Sequence, residues 1–195
     1  MGLREVKSER TRAQIVSVAQ DLFLSQGYAA TTMEQVAEAA EVGTSTLYRY
    51  FPSKELLLLD PFARAFDFRR LLDARPPDEE LALALGAIIR AAFPPGDLDH
   101  DRFVELWQMV EREPGTRARL WDLLDKATRE LEQAIAQRTD RPADDLHVAL
   151  SARNVITLHG LASQQWSGRR TRRSWEQTVD RLLAALPGIA LVLPR

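Results

Sequence analysis

The chain has 195 residues, 45% hydrophobic and 28% charged, with a net charge of −2, the make-up of an ordinary globular protein long enough for one or two cores. It contains no cysteine, which excludes disulfides, zinc fingers, thiolate catalysis and thiol redox switching. No apolar run approaches the roughly 20 residues of a membrane span and no signal-peptide h-region is visible near the N-terminus, so a cytoplasmic location is expected.

The first predicted helix runs from Glu9 to Gln26, with Ile15, Ala19, Leu22 and Phe23 on one face and Gly27 as its stop. Thr31 followed by Glu34 has the spacing of a capping box. It opens a second, short helix whose apolar face is Val36, Ala37 and Ala40. Gly43 after Val42 stands where a sharp, left-handed turn is expected, and Thr44 or Ser45 is positioned to cap a third helix. In that helix Leu47 and Phe51, four apart, point inward, while Thr44, Ser45, Tyr48 and Arg49 point elsewhere. A short rod faced with hydroxyls, aromatics and an arginine packs poorly against a core but suits the major groove of duplex DNA, as the second helix of a helix-turn-helix does.

Charge distribution fits that reading better than the total does. Arg4, Lys7, Arg10 and Arg12 outnumber Glu5 and Glu9 in residues 1–12, and residues 42–54 hold Arg49 and Lys54 with no acid. Glu34, Glu38 and Glu41 offset this nearby, so weak non-specific binding is expected.

A fourth helix begins at Ser53-Lys54-Glu55, carries Leu56 through Leu59, bends or breaks at Pro61 and continues through Phe62, Phe66 and Leu72 to Arg75. After Pro76-Pro77, Asp78 is the expected N-cap of a helix to Phe93. Pro94-Pro95-Gly96 is a break. Helices over 99–111 and 116–137 flank Pro114-Gly115, and Pro142 suits the first turn of a helix reaching Ser167. Arg169-Arg170-Thr171-Arg172-Arg173 is a basic loop, either simply solvated or a site for an anionic group, ahead of a last helix from Ser174 to Leu186. No strand pattern or internal repeat is present, so the expected fold is all-α with about nine helices.

Ile15-x-x-x-Ala19-x-x-Leu22-Phe23, Gly27-Tyr28, Thr31-Thr32, Val36-Ala37, Val42 and Thr46-Leu47-Tyr48-x-Tyr50-Phe51-x-x-Lys54-Glu55 together resemble the N-terminal domain of the TetR family of bacterial transcriptional regulators. Residues 59–195 are similar to the family in length, helical pattern and element order. Two departures occur: where the family usually has Gly, Val and Ser entering the recognition helix, this chain has Glu41, Val42 and Gly43, and Ser45 stands where many members carry Gly. The resemblance implies a three-helix helix-turn-helix domain over 1–52 and a helical ligand-binding and dimerisation domain over 53–195, the helix from 53 joining them.

It further implies contact with double-stranded operator DNA through Thr44, Ser45, Thr46, Tyr48 and Arg49 in the major groove, with Thr31, Thr32, Tyr50 and Lys54 beside them, Thr31, Tyr50 and Lys54 on phosphates. The last two long helices are expected to form a homodimer interface through Leu150, Thr157, Leu161, Trp175, Val179, Leu182 and Leu183, placing two heads on half-sites about 34–36 Å apart. Phe62, Phe66, Phe93, Phe103, Trp107 and Trp121, with Asn154, Leu158, His159 and Trp166, are the expected walls of a pocket for a lipophilic effector. Trp107 and Met109 cannot both face it, since residues two apart on a helix diverge by about 200°. His100, His147 and His159 have no metal-ligand spacing, no cofactor motif is present, and no nucleophile elbow, G-x-G-x-x-G or H-E-x-x-H appears. The expected function is therefore a ligand-responsive DNA-binding repressor and not an enzyme. The alternative is a helical small-molecule carrier or sensor with a degenerate DNA-binding head.

Overall fold

The structure is a computed structural model that describes residues 2–93, 100–167 and 173–188. Among these residues it is all-α: α1 Leu3–Gln26, α2 Met33–Ala39, α3 Thr44–Tyr50, α4 Lys54–Ala65, α5 Phe68–Asp73, α6 Leu81–Ala91, α7 His100–Arg112, α8 Pro114–Thr139, α9 Leu146–Trp166 and α10 Trp175–Ala185, followed by a single 3₁₀ turn, Leu186–Gly188. The Pro94-Pro95-Gly96 break, and Arg169, Arg170, Thr171 and Arg172 of the basic loop, lie outside the described residues.

The chain divides into two compact units, Met1–Ala63 with Gly96–Asp122 and Arg64–Pro95 with Leu123–Arg195. The first holds the whole expected head, α1–α3, and adds α7, which packs on α1. Its interior is Ile15, Ala19 and Phe23 of α1, Val36 and Ala37 of α2, and Leu47 and Phe51 at the end of α3. In the second unit α6, α9 and α10 pack on one another and α5 packs on α6. The Trp175 indole N–H there donates to the backbone oxygens of Ile89 and Arg90 at 3.3 and 3.0 Å.

Several element ends differ from the sequence expectation, each for a local reason. The helix expected from Glu9 already starts at Leu3, because the Glu5 carboxylate accepts the Gly2 N–H at 2.8 Å and closes the first turn. The capping box of α2 is one residue later than expected. Thr32 Oγ1 accepts the Gln35 N–H at 3.2 Å and the Gln35 side chain accepts the Thr32 N–H at 2.9 Å. Pro61 does not break α4; the helix runs through it to Ala65. The chain restarts at α5 because Asp67 accepts the Arg70 N–H, so the expected fourth helix is two. Pro114 opens α8 instead of breaking before it, as suits a proline at a first helical position. Pro142 precedes α9, whose N-cap is Asp145, and α6 begins after Glu80, not Asp78.

The turn between α2 and α3 is the most consequential difference. Its left-handed residue is Glu41, with φ 53°, whereas Gly43 is extended at φ −65° and serves as the N-cap of α3 without any side-chain cap from Thr44 or Ser45. The Val42 N–H reaches the Ala37 oxygen at 2.9 Å and the Glu41 N–H reaches that of Glu38 at 3.0 Å, which together make a Schellman closure with Glu41 at its left-handed position. That position favours glycine, because a Cβ costs roughly 1–2 kcal/mol there. Glu41→Gly is therefore expected to raise the stability of the head by about 1 kcal/mol, read as a higher midpoint in thermal or urea unfolding; an unchanged or lowered midpoint contradicts this reading of the turn.

Candidate nucleic-acid interface

On α3 the buried Leu47 defines the inner side and Phe51 closes it. At about 100° per residue, Ser45 and Arg49 stand nearly opposite Leu47, with Tyr48 and Thr46 on the two flanks. Thr44, Ser45, Tyr48 and Arg49 are exposed, and Thr46 is half-exposed. Tyr48 keeps 43% of its surface open, so its ring and hydroxyl are presented outward. The expected reading face is thus outward and free of the subunit's own packing.

A set of cations holds the rod from behind. Arg12 of α1 pairs with the buried Asp60 of α4 and lies over the Phe51 ring, 4.6 Å from its centroid. Lys54 corrects the phosphate assignment. Its Nζ donates to the backbone oxygens of Tyr28 and Thr31 at 2.8 and 2.9 Å and sits 4.3 Å over the Tyr28 ring. The charge is spent inside the head, fastening the loop before α2 to the start of α4. Thr31 is corrected too: it is buried and its hydroxyl donates to the Gly27 oxygen at 2.8 Å. Burial pushes the Tyr28 phenol up to about 12, so the ring beneath Lys54 stays neutral. Thr32 is exposed but engaged as the cap of α2. Tyr50 is half-buried, its hydroxyl 3.1 Å from Ser8 Oγ.

The expected pocket residues fall into separate sets, one in each unit. In the first, Phe62 meets Phe103 and Trp107 at 5.3 and 5.2 Å between centroids. Trp107 and Met109 are both half-exposed, and the Trp107 indole N–H donates to Glu111 at 3.0 Å. In the second, His159 lies between Phe66, Phe68 and Trp175 at 5.4, 5.3 and 5.1 Å, and Phe93 contacts Trp166 and Trp175. Burial lowers the His159 imidazole to about 4, leaving a neutral ring within 3.3 Å of the Ala92 oxygen. Leu158 is half-buried. Trp121, 69% exposed, and Asn154, also exposed, face solvent and line no interior. Phe68 and Trp175 are the members of this cluster that sequence reasoning missed; Trp175 counted there towards an interface because its helix carries a continuous apolar stripe.

The expected interface residues separate likewise. Trp175 and Val179 are buried in their own subunit, which corrects their assignment, and Leu182 and Leu183 are half-buried, Leu183 lying beside Gly86 of α6. Leu150, Thr157 and Leu161 are exposed on α9.

A short helix anchored by two side chains, its outer face open and its partner helix closed by a tight turn, defines a helix-turn-helix regulator that binds DNA. Residues 15–60 match the model of the bacterial regulatory proteins of the tetR family. Over 192 residues the chain is 33% identical to the HTH-type transcriptional regulator TcmR of Streptomyces glaucescens, a match covering 95% of this chain and 81% of that protein. It is 40% identical to the HTH-type transcriptional repressor KstR of Rhodococcus jostii over 84 residues, 41% of this chain and 40% of that one. The fold is shared with the transcriptional regulator FadR of Bacillus subtilis, solved in complex with stearoyl-CoA, at a TM-score of 0.62, 20% identity, and coverage of 91% and 99%. The chain belongs to the TetR family of bacterial transcriptional regulators.

The two cations near α3 are expected to behave differently in duplex binding. Lys54→Ala should lower head stability by about 2 kcal/mol, the worth of a charged hydrogen bond, and leave the slope of log affinity against log salt unchanged. Arg49→Ala should preserve stability and lower affinity for a cognate duplex by about 1–3 kcal/mol, the worth of a base contact. Equal affinity of Arg49→Ala and the wild type for that duplex, or a flattened slope with unchanged melting for Lys54→Ala, contradicts the two roles.

Proposed function

We propose that the protein is a homodimeric repressor whose two α3 helices read a pseudo-palindromic operator, and that a small, mostly apolar effector releases it. Residues 1–52 act as the reading segment and 53–195 as the segment for dimerisation and effector binding. Ser45, Tyr48 and Arg49, flanked by Thr44 and Thr46, contact base edges, and Tyr50 and Thr32 lie towards the backbone.

The observation that carries the dimer is the two-faced surface of α9. Its buried residues, Val148, Ala152, Val155, His159, Ala162 and Trp166, fall within about 80° of arc. Leu146, Leu150, Thr157 and Leu161, exposed by 72%, 52% and 43% for the leucines, fall within about 60° on the opposite side. Gly160 lies beside them, and a Cβ there would meet nothing within 4 Å. An apolar stripe with a smooth notch favours a close, self-complementary helix contact about a two-fold axis. The effector reading rests on the aromatic cluster of the second unit and on the ligand-bound relative. To move the operator from 99% occupied to 1%, an effector must prefer the released form by about 5.5 kcal/mol.

Leu150→Glu combined with Leu161→Glu tests this, since both side chains are exposed and the fold should persist. Sedimentation is expected to show a monomer with unchanged circular dichroism, and a duplex with two half-sites should lose its advantage over a duplex with one. A variant that stays dimeric contradicts the proposal.

A further inference from the structure

His159 of α9 is buried within the aromatic cluster of the second unit. Phe66 and Phe68 meet its imidazole edge to face, at 74° and 81°, and the Trp175 ring crosses it at 57°. Phe93 and Trp166 extend the cluster through Trp175. The His159 Nε2 lies 3.3 Å from the backbone oxygen of Ala92. That oxygen only accepts, so Nε2 carries the proton. Burial keeps the ring neutral, which makes Nδ1 a lone pair waiting for a donor. None of the described residues donates to it. Of the three rings on His159 only Trp175 has a polar hydrogen, and that hydrogen goes to the oxygens of Ile89 and Arg90. A buried acceptor left unpaired is costly. A water in its place needs about two to four polar partners, which phenyl rings do not supply.

We propose that this cluster takes a neutral hydroxylated aromatic molecule, a phenol, whose O–H donates to Nδ1 of His159 while Phe66, Phe68 and Trp175 pack on its ring. The assignment rests on the effector reading given above and narrows it, from apolar molecules in general to aromatic ones with a buried hydroxyl donor. Three features select this class. In this tautomer Nδ1 accepts and cannot donate, so an ether or ketone oxygen gains nothing there. The guanidinium of Arg90, whose backbone oxygen takes the Trp175 indole, is already paired with Asp180, and a carboxylate would therefore be buried without that cation. The walls are rings and not branched aliphatics, so an aromatic guest adds edge-to-face contacts of the kind His159 already makes. A phenolic O–H is more acidic than that of an aliphatic alcohol and gives the stronger bond to a bare nitrogen. One polar point among apolar walls fixes the orientation of the guest as well as its class.

Equilibrium dialysis of the full-length protein against β-naphthol, its methyl ether and β-naphthoate tests this, with the ring nitrogens of His159 followed by NMR. The wild type is expected to bind β-naphthol about tenfold more tightly than the ether, the fold-change of one hydrogen bond, and more tightly than β-naphthoate. The signal of the unprotonated nitrogen should move with β-naphthol and stay in place with the ether. His159→Phe keeps a ring at this position, which circular dichroism checks, and should bind β-naphthol and the ether equally. Equal binding of the two by the wild type, a comparison that needs no variant, overturns the hydroxyl assignment and leaves an apolar effector standing. Discrimination that survives in His159→Phe overturns it too, as does tighter binding of β-naphthoate. If neither β-naphthol nor the ether binds, the cluster is no effector site, and the broader reading falls with the narrower one.

Discussion

Among the described residues of α3 and its C-cap, Leu47 and Phe51 are the buried side chains that anchor the reading helix to the rest of the head. A helix this short has no stability of its own in water, and its other side chains must stay free for a partner. Its position consequently depends on what lies beneath those two anchors. Arg12 is central there. Its guanidinium covers the face of Phe51 and pairs with a carboxylate, Asp60, that is buried. A buried carboxylate left without its cation is strongly destabilising, so α1, α4 and the end of α3 are tied by one group. Lys54 performs the same service on the other side, bonding the loop before α2 through two backbone oxygens. Arg12 and Lys54 are spent on the rigidity of the head, and the outer face of α3 is left open.

Much of this was legible in the sequence where the signal was local and periodic. The inward pair Leu47 and Phe51 follows from spacing alone, and the outward face of α3 follows from having hydroxyls and a tyrosine where a core helix would have leucines. The turn was legible as a turn, but its left-handed residue was not. Gly43 is the obvious candidate on conformational grounds, yet closure of α2 by the Val42 and Glu41 N–H groups puts the strain on Glu41, one place where the family pattern has glycine. A capping box one residue later than expected is the same kind of miss, since Thr31 and Thr32 are both suitable caps and only the path of the chain chooses between them.

Side chains whose role is set by distant partners were not legible. Lys54 reads as a free cation because nothing in its neighbourhood announces the carbonyls 26 and 23 residues away. Trp175 and Val179 belong to a stripe that could face another subunit or their own core, and the choice is made by α6, whose backbone oxygens take the Trp175 indole. On α9, by contrast, both faces are apolar enough to be seen in sequence, and burial assigns one to the core and leaves Leu150 and Leu161 to solvent. The aromatics grouped in sequence as one pocket separate into clusters of two compact units, because α7 joins the head.

Hydrogen exchange with and without a selected duplex tests the central claim most directly. The account predicts that bound duplex slows exchange across residues 44–50, while amides on the buried side of the head change little. Duplex binding that leaves the amides of α3 exchanging as in the free protein would contradict it.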